Sequence, residues 1–211
     1  MFRLQSAVGR GREVAGYTGG MATAHTSRHY TAEDLESMPD GDRYEIIEGQ
    51  LQERVMSSLS SRIASTLVVL LGIWSRNGHP GPLMGSDGGY RIFPWAPDDV
   101  RMPDVSFVHA DRVGQFPTRG WLDVPPDLAV EVVSPTDSAS LVQLKAHDYI
   151  RAGVPLVWVV FPESRTVEVR RAGSTTIEVL SETDTLSGGD VLPGFSVAVS
   201  ELFPAEGELT A

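Results

Sequence analysis

The stretch Leu128-Ala-Val-Glu-Val-Val133 constrains the fold of this chain more than any other. It is apolar at odd and even positions alike. As a strand it therefore has no face left for water, and it belongs in the middle of a sheet covered on both sides. Leu128, Val130 and Val132 face one way, and Ala129, Glu131 and Val133 the other. Glu131 is thus a carboxylate set among apolar neighbours. Burying it ionised and alone is costly, and otherwise its pKa rises until it neutralises. A metal ion or a cation beside it removes that cost.

The segment that follows supplies a cation. Ser138 to Ala152 reads as a helix with Leu141, Val142, Tyr149 and Ala152 on one side, and Lys145 lies in the middle of that apolar stripe. Lys145 is also the single lysine of a chain with sixteen arginines. A lysine is a compact charge with a movable pKa, whereas arginine is a planar fork that stays protonated. An inward sole lysine suggests chemistry; a snorkelling stem is the plainer reading.

At 211 residues, 41% of them hydrophobic, the chain is long and apolar enough for one domain with a real core. It has no cysteine, hence no disulfide, thiolate nucleophile or thiolate metal site. No uninterrupted apolar run reaches the roughly 18 to 20 residues that span a bilayer, so no membrane association is expected. A net charge of −11 disfavours non-specific coating of nucleic acid but permits an enzyme with a locally basic cleft. Residues 1–28 read as a flexible leader with Met21 as an alternative start, 29–205 as one domain and 206–211 as a tail. With no targeting pattern visible, the cytoplasm is the default location.

Thr31-Ala-Glu-Asp34 resembles a capping box and predicts a helix over 31–38. Tyr44 to Leu51 reads as two short strands around a Glu48-Gly49 turn. A helix over 60–76 carries Ile63, Leu67, Leu70, Leu71 and Trp74, and Asn77-Gly78 ends it. Further strands are expected over 90–93, 103–108, 128–133, 156–161, 166–170, 175–180 and 191–199, with a Gly- and Pro-rich loop over 110–126. The order is that of a mixed α/β sandwich, not a regular βαβ repeat. Trp74 and Trp158 are expected in the core, while Trp95 and Trp121 lie in loops. The five histidines show no ligand spacing.

Asp104, directly after Pro103, opens the strand over 103–108. If that strand neighbours the one bearing Glu131, both carboxylates project from one face, and the Lys145 helix packs back onto them. Two carboxylates, waters and a phosphate oxygen make an oxygen-only site suited to Mg²⁺ or Mn²⁺. These parts fit metal-assisted phosphodiester hydrolysis, with the lysine stabilising charge and orienting the attacking water. A buried Glu131–Lys145 ion pair of structural purpose remains open beside it.

At these residues the chain resembles the Uma2 family (DUF820), a bacterial branch of the PD-(D/E)XK nuclease superfamily. The matching stretches are YEIIEGQL, Met102 to Val108, Asp127 to Pro135, Lys145 to Gly153, Val157 to Val160 and Leu192 to Phe195, so the resemblance spans roughly Tyr30 to Phe203. It implies a restriction-endonuclease-like fold, a mixed β-sheet core flanked by helices, here with extra N-terminal and C-terminal strands. It implies that Asp104 and Glu131 are the metal-binding acids, that the Val132 backbone carbonyl is a further ligand, and that Lys145 is the lysine moved from the Val133 position onto the next helix. Glu45 matches an acidic position near the same site. The implied activity is a Mg²⁺-dependent endonuclease acting on DNA, for which a homodimer would suit cleavage of both strands. Two departures weaken the case for efficient catalysis, and the first of them, with the acidic charge, favours the alternative of a weak or inactive DNA-binding or protein-interaction module. Thr136 to Gln143 is nearly uncharged where the family carries charges, and Ser60-Ser61 stand where its first long helix often has a histidine.

Overall fold

The structure is a computed structural model and describes residues 28–114, 117, 119–205 and 207–208. The leader expected over 1–28 lies outside these residues except for Arg28, and most of the tail lies outside them too.

The first helix, α1 (Ala32–Ser37), is held by the anticipated capping box: the Thr31 hydroxyl accepts from the Asp34 N–H and the Asp34 carboxylate from the Thr31 N–H. Strands β1 (Tyr44–Ile47) and β2 (Gln50–Glu53) form an antiparallel hairpin. Its turn takes the left-handed conformation twice, at Glu48 (φ 53°) and Gly49 (φ 72°), the primed geometry that matches strand twist. Helix α2 (Ser58–Arg76) follows, capped by Ser57.

Strands β3 (Leu83–Met84) and β4 (Val105–Phe107), the short helix α3 (Ala110–Val113), strand β5 (Leu128–Val132), helix α4 (Ala139–Arg151), and strands β6 (Leu156–Phe161), β7 (Thr166–Arg171) and β8 (Glu178–Leu180) complete the central unit. A small antiparallel pair, β9 (Thr185–Ser187) with β10 (Ser196–Ala198), follows, and a 3-10 turn over Val199–Leu202 comes after it.

The six-stranded sheet runs β3-β4-β5-β6-β7-β8, and only β5 and β6 are parallel, joined by the α4 crossover. The doubly apolar strand is indeed central. Leu128, Val130 and Val132 pack with Ile63, Leu67, Leu71 and Trp74 of α2, while Ala129 packs with Val142, Ala146 and Tyr149 of α4. Each helix is therefore held by one face of the same strand.

Several expectations need correction. Residues 90–93 form no strand: Tyr90 makes only isolated bridges, to Arg101 and to Leu122. The strands expected over 175–180 and 191–199 shrink to three residues each. Neither β3 nor β9 was anticipated, and the 110–126 loop begins with the short α3. Helix α2 is, by length and composition alone, apolar enough to cross a bilayer, which a search for uninterrupted apolar runs misses because serines and a glycine break the run. Trp74 and Trp158 are core residues, as expected. Trp121 pins its loop by donating to the Ala32 carbonyl at 3.3 Å. Arg151 lies over the Trp95 ring at 3.8 Å.

Candidate active site

Strands β4 and β5 pair antiparallel with Val105 opposite Val130. One step further along that register, Asp104 lies opposite Glu131, and the two carboxylates project from the same face. The Asp104 carboxylate accepts the Val132 N–H at 2.7 Å. An extended residue turns its N–H and C=O to the same side, so the Val132 carbonyl also leaves the strand toward the Asp104 segment. The residue opposite is Pro103, which has no N–H to offer it.

Helix α4 brings Lys145 onto this face. Its Nζ lies 2.7 Å from Glu131 Oε2 and 3.0 Å from Glu45 Oε2 of β1. The Tyr149 hydroxyl, one turn on, donates to the other Glu131 oxygen at 2.9 Å. Glu45 is fixed in turn by accepting the Met102 N–H at 2.5 Å. All four charged residues are at least nine-tenths buried: Glu45 3%, Asp104 9%, Glu131 7% and Lys145 9% exposed. Three strands and one helix thus bring together every residue singled out from the sequence.

The electrostatics follow from the count. Three carboxyl groups surround one ammonium, and full ionisation would leave an excess of two negative charges in a poorly solvated place. Burial raises the Glu131 carboxyl to about 8 against the pull of Lys145, with Asp104 and Glu45 adding to the rise. Burial likewise raises Asp104, opposed by Lys145 and by the Val132 hydrogen bond. Burial opposes the charge on Lys145, but Glu131, Glu45 and Asp104 outweigh it, and the ammonium is held above its ordinary range. The lysine therefore keeps its proton, and the cluster as a whole wants more positive charge.

The four residues line a cleft of about 70 Å³, with Arg54, Met56, Ser134, Asp137 and Leu141 among its walls. That is space for a few waters or a small cation with part of its hydration shell. Among the described residues, no three of His, Asp, Glu or Cys stand at metal-binding spacing. Any ion here would rely on two carboxylates, a backbone carbonyl and water. Such a set fits a small hard cation that keeps waters in its shell, and the uncompensated negative charge is the observation that supports the fit.

Sequence reasoning missed Arg54, whose charge at the cleft opposes the rise of the Asp104 carboxyl, and the Tyr149 hydroxyl, read only as part of an apolar stripe. Ser60 proves structural. Fully buried, its hydroxyl donates to the Val133 carbonyl at 3.1 Å and lies 3.0 Å from the Ser134 hydroxyl, tying α2 to the end of β5.

No curated protein matches this chain. Among solved structures it is similar to one described as a "putative nuclease belonging to DUF820" from Anabaena variabilis ATCC 29413, with a TM-score of 0.70 and 19% identity over 82% of this chain and 97% of that one. At that identity the likeness is one of fold. The model of the Uma2 family, whose description is "Putative restriction endonuclease", matches residues 32–200. With four-fifths of its length matched and the nuclease-like fold in place, the chain belongs to the Uma2 family.

Proposed function

We propose that this protein is a metal-dependent endonuclease that hydrolyses phosphodiester bonds in DNA. The observation that carries the reading is the buried excess of negative charge at Asp104 and Glu131, on facing strands and beside a lysine that keeps its proton. A structural ion pair needs one acid for one base; three acids around one base suit a site that also takes up a divalent cation.

Asp104, Glu131 and the Val132 carbonyl would hold Mg²⁺ or Mn²⁺. When bound, the ion supplies Lewis-acid polarisation of the phosphate and lowers the pKa of a coordinated water. Asp104 is aimed by the Val132 N–H, and Pro103 withholds a donor from the carbonyl opposite. Lys145, held between Glu131 and Glu45, orients water on the Glu131 side and stabilises charge developing on the phosphate. Glu45 keeps the ammonium from swinging out of the cleft and stands near enough to assist the ion or its water. Arg54 adds positive charge at the cleft wall, offsetting locally the overall charge of −11. Arrangement as a homodimer, each copy cutting one strand, is the assembly that this reading favours.

The test is cleavage of plasmid and linear DNA with and without Mg²⁺ or Mn²⁺, alongside calorimetric titration of the ion. The wild type should bind the ion and cut. Asp104→Asn and Glu131→Gln should lose both properties, and Lys145→Ala should bind the ion without cutting. A folded wild type that binds neither ion refutes the metal site. A protein that binds ion and DNA but never cuts supports the inactive-module alternative.

A further inference from the structure

We propose that Arg101 is a positioning residue: its guanidinium, sealed between Asp99 and Asp148, sets the placement of Lys145 against Glu45 and Glu131. The inference deepens the endonuclease reading and rests on it only for its kinetic part.

Arg101 is one of the largest fully buried side chains, 1% exposed. Its Nη2 lies 2.7 Å from Asp148 Oδ2 and 3.3 Å from Asp99 Oδ2. Its guanidinium carbon sits 4.5 Å from the centre of the Phe93 ring, while Nε and Nη1 have no hydrogen-bond partner. Burying a guanidinium with two idle donors is a costly way to fill space. What the arrangement secures is a connection between the two carriers of the active site.

One end of the connection is the β1–β2 hairpin. The Asp99 carboxylate accepts the N–H groups of Glu48 (2.9 Å) and Gly49 (3.1 Å), capping the left-handed turn. That turn ends β1, the strand carrying Glu45. The other end is α4, where Asp148 lies three residues after Lys145 on neighbouring surface of the helix. Arg101 itself stands three residues before Asp104, and its backbone pairs with Tyr90 in both directions (2.9 and 3.1 Å). A single guanidinium nitrogen thus ties the Glu45 strand to the Lys145 helix from inside the segment that presents Asp104. The backbone bridge between Ile46 and Val100 and the Met102 N–H to Glu45 bond hold β1 to the Arg101 segment, although β1 and β2 form a separate two-stranded sheet from β4 and β5; the Arg101–Asp148 pair extends that hold to α4, beside the Lys145–Glu45 contact itself.

The sole lysine provides a direct readout. Protein labelled with ¹³Cε-lysine shows one resonance, that of Lys145, and reports its surroundings without any assay of activity. The variant Arg101→Met/Asp148→Asn removes one buried charge of each sign, so the net charge of the cluster is kept while the tie is cut. We expect its lysine resonance to shift or broaden and its kcat for DNA cleavage to fall about 10- to 100-fold with KM changed far less, the size associated with misplacing a catalytic group by about 1 Å. Arg101→Lys, which retains a cation for both carboxylates, adds a second lysine resonance that is told apart by its persistence in Arg101→Lys/Lys145→Arg; its Lys145 resonance should stay at the wild-type position with most of kcat restored, and it serves as the deciding variant if the double substitution does not fold. An Arg101→Lys protein that folds with its Lys145 resonance displaced overturns the role assigned to a cation at this position. A folded double variant with an unchanged lysine resonance overturns the proposal whatever its activity. If the wild type proves unable to cut DNA, the nuclease reading fails, and the resonance still decides whether Arg101 positions Lys145.

Discussion

Replacing Lys145 by methionine keeps the bulk of the stem and removes the only cation in contact with Glu131 and Glu45. With all three carboxyls ionised the buried excess would then grow from two negative charges to three, and both Glu contacts, at 2.7 and 3.0 Å, are lost together. Removing one partner of a buried ion pair costs about 3 to 5 kcal/mol, which for a domain of this size lowers Tm by roughly 6 to 20 °C. Urea denaturation followed by tryptophan fluorescence measures the change, and Trp74 and Trp158, both in the core, report global unfolding. Adding Glu131→Gln to Lys145→Met removes one anion with the cation and should recover about 2 kcal/mol or more of the loss, appearing as a coupling energy in the double-mutant cycle. Divalent ion should stabilise the Lys145→Met protein more than the wild type, because it meets a larger uncompensated charge. A Lys145→Met protein within about 1 kcal/mol of the wild type, or strict additivity with Glu131→Gln, would refute the charge balance described above.

Further outcomes are expected. Burial holds the Glu131 carboxyl up to about 8 against an ordinary value of 4.5, so between those values the folded chain keeps a proton that the unfolded chain has released. This contribution is fully present below pH 4.5 and is lost as the pH rises through about 8. Denaturation midpoints of the ion-free wild type should therefore fall relative to Glu131→Gln across that range, and parallel profiles would contradict the shift. Mg²⁺ should raise Tm more at pH 8 than at pH 6, since the ion competes with the same proton, by an amount equivalent to about 2.7 kcal/mol at one hundred times its Kd. Asp104→Asn should abolish that response in a thermal-shift titration. Ser60→Ala should cost about 1 to 3 kcal/mol by removing the hydroxyl partner of the Val133 carbonyl, while the Ser134 hydroxyl keeps the Ser57 N–H, with ion affinity by calorimetry little changed.

The chemistry-bearing residues were legible because each breaks a local pattern. Glu131 interrupts a strand with no wet face, Lys145 interrupts an apolar helical stripe, and Asp104 follows a proline at a strand edge. Glu45 was legible only through resemblance to the family, because nothing in YEIIEGQL marks one glutamate above the other. Arg101 left no mark at all. Two residues before a Pro-Asp pair, an arginine reads as an ordinary surface cation, and its burial depends on Asp99, Asp148 and Phe93 arriving from elsewhere.

By itself the sequence determined that β5 is buried on both faces, that α2 and α4 each present one apolar side, and that an acid and a lysine point inward near each other. These follow from periods of 2 and 3.6 residues, which are local properties of the chain. Only the tertiary structure decided that Glu45 completes the cluster, that the Tyr149 hydroxyl takes the second Glu131 oxygen, and that Arg101 joins hairpin to helix. It also decided which short segments pair: β3 and β9, two and three residues long, exist because a neighbour offers them a ladder. Contacts between residues fifty or a hundred positions apart depend on how layers stack, and no periodicity within a single segment records that.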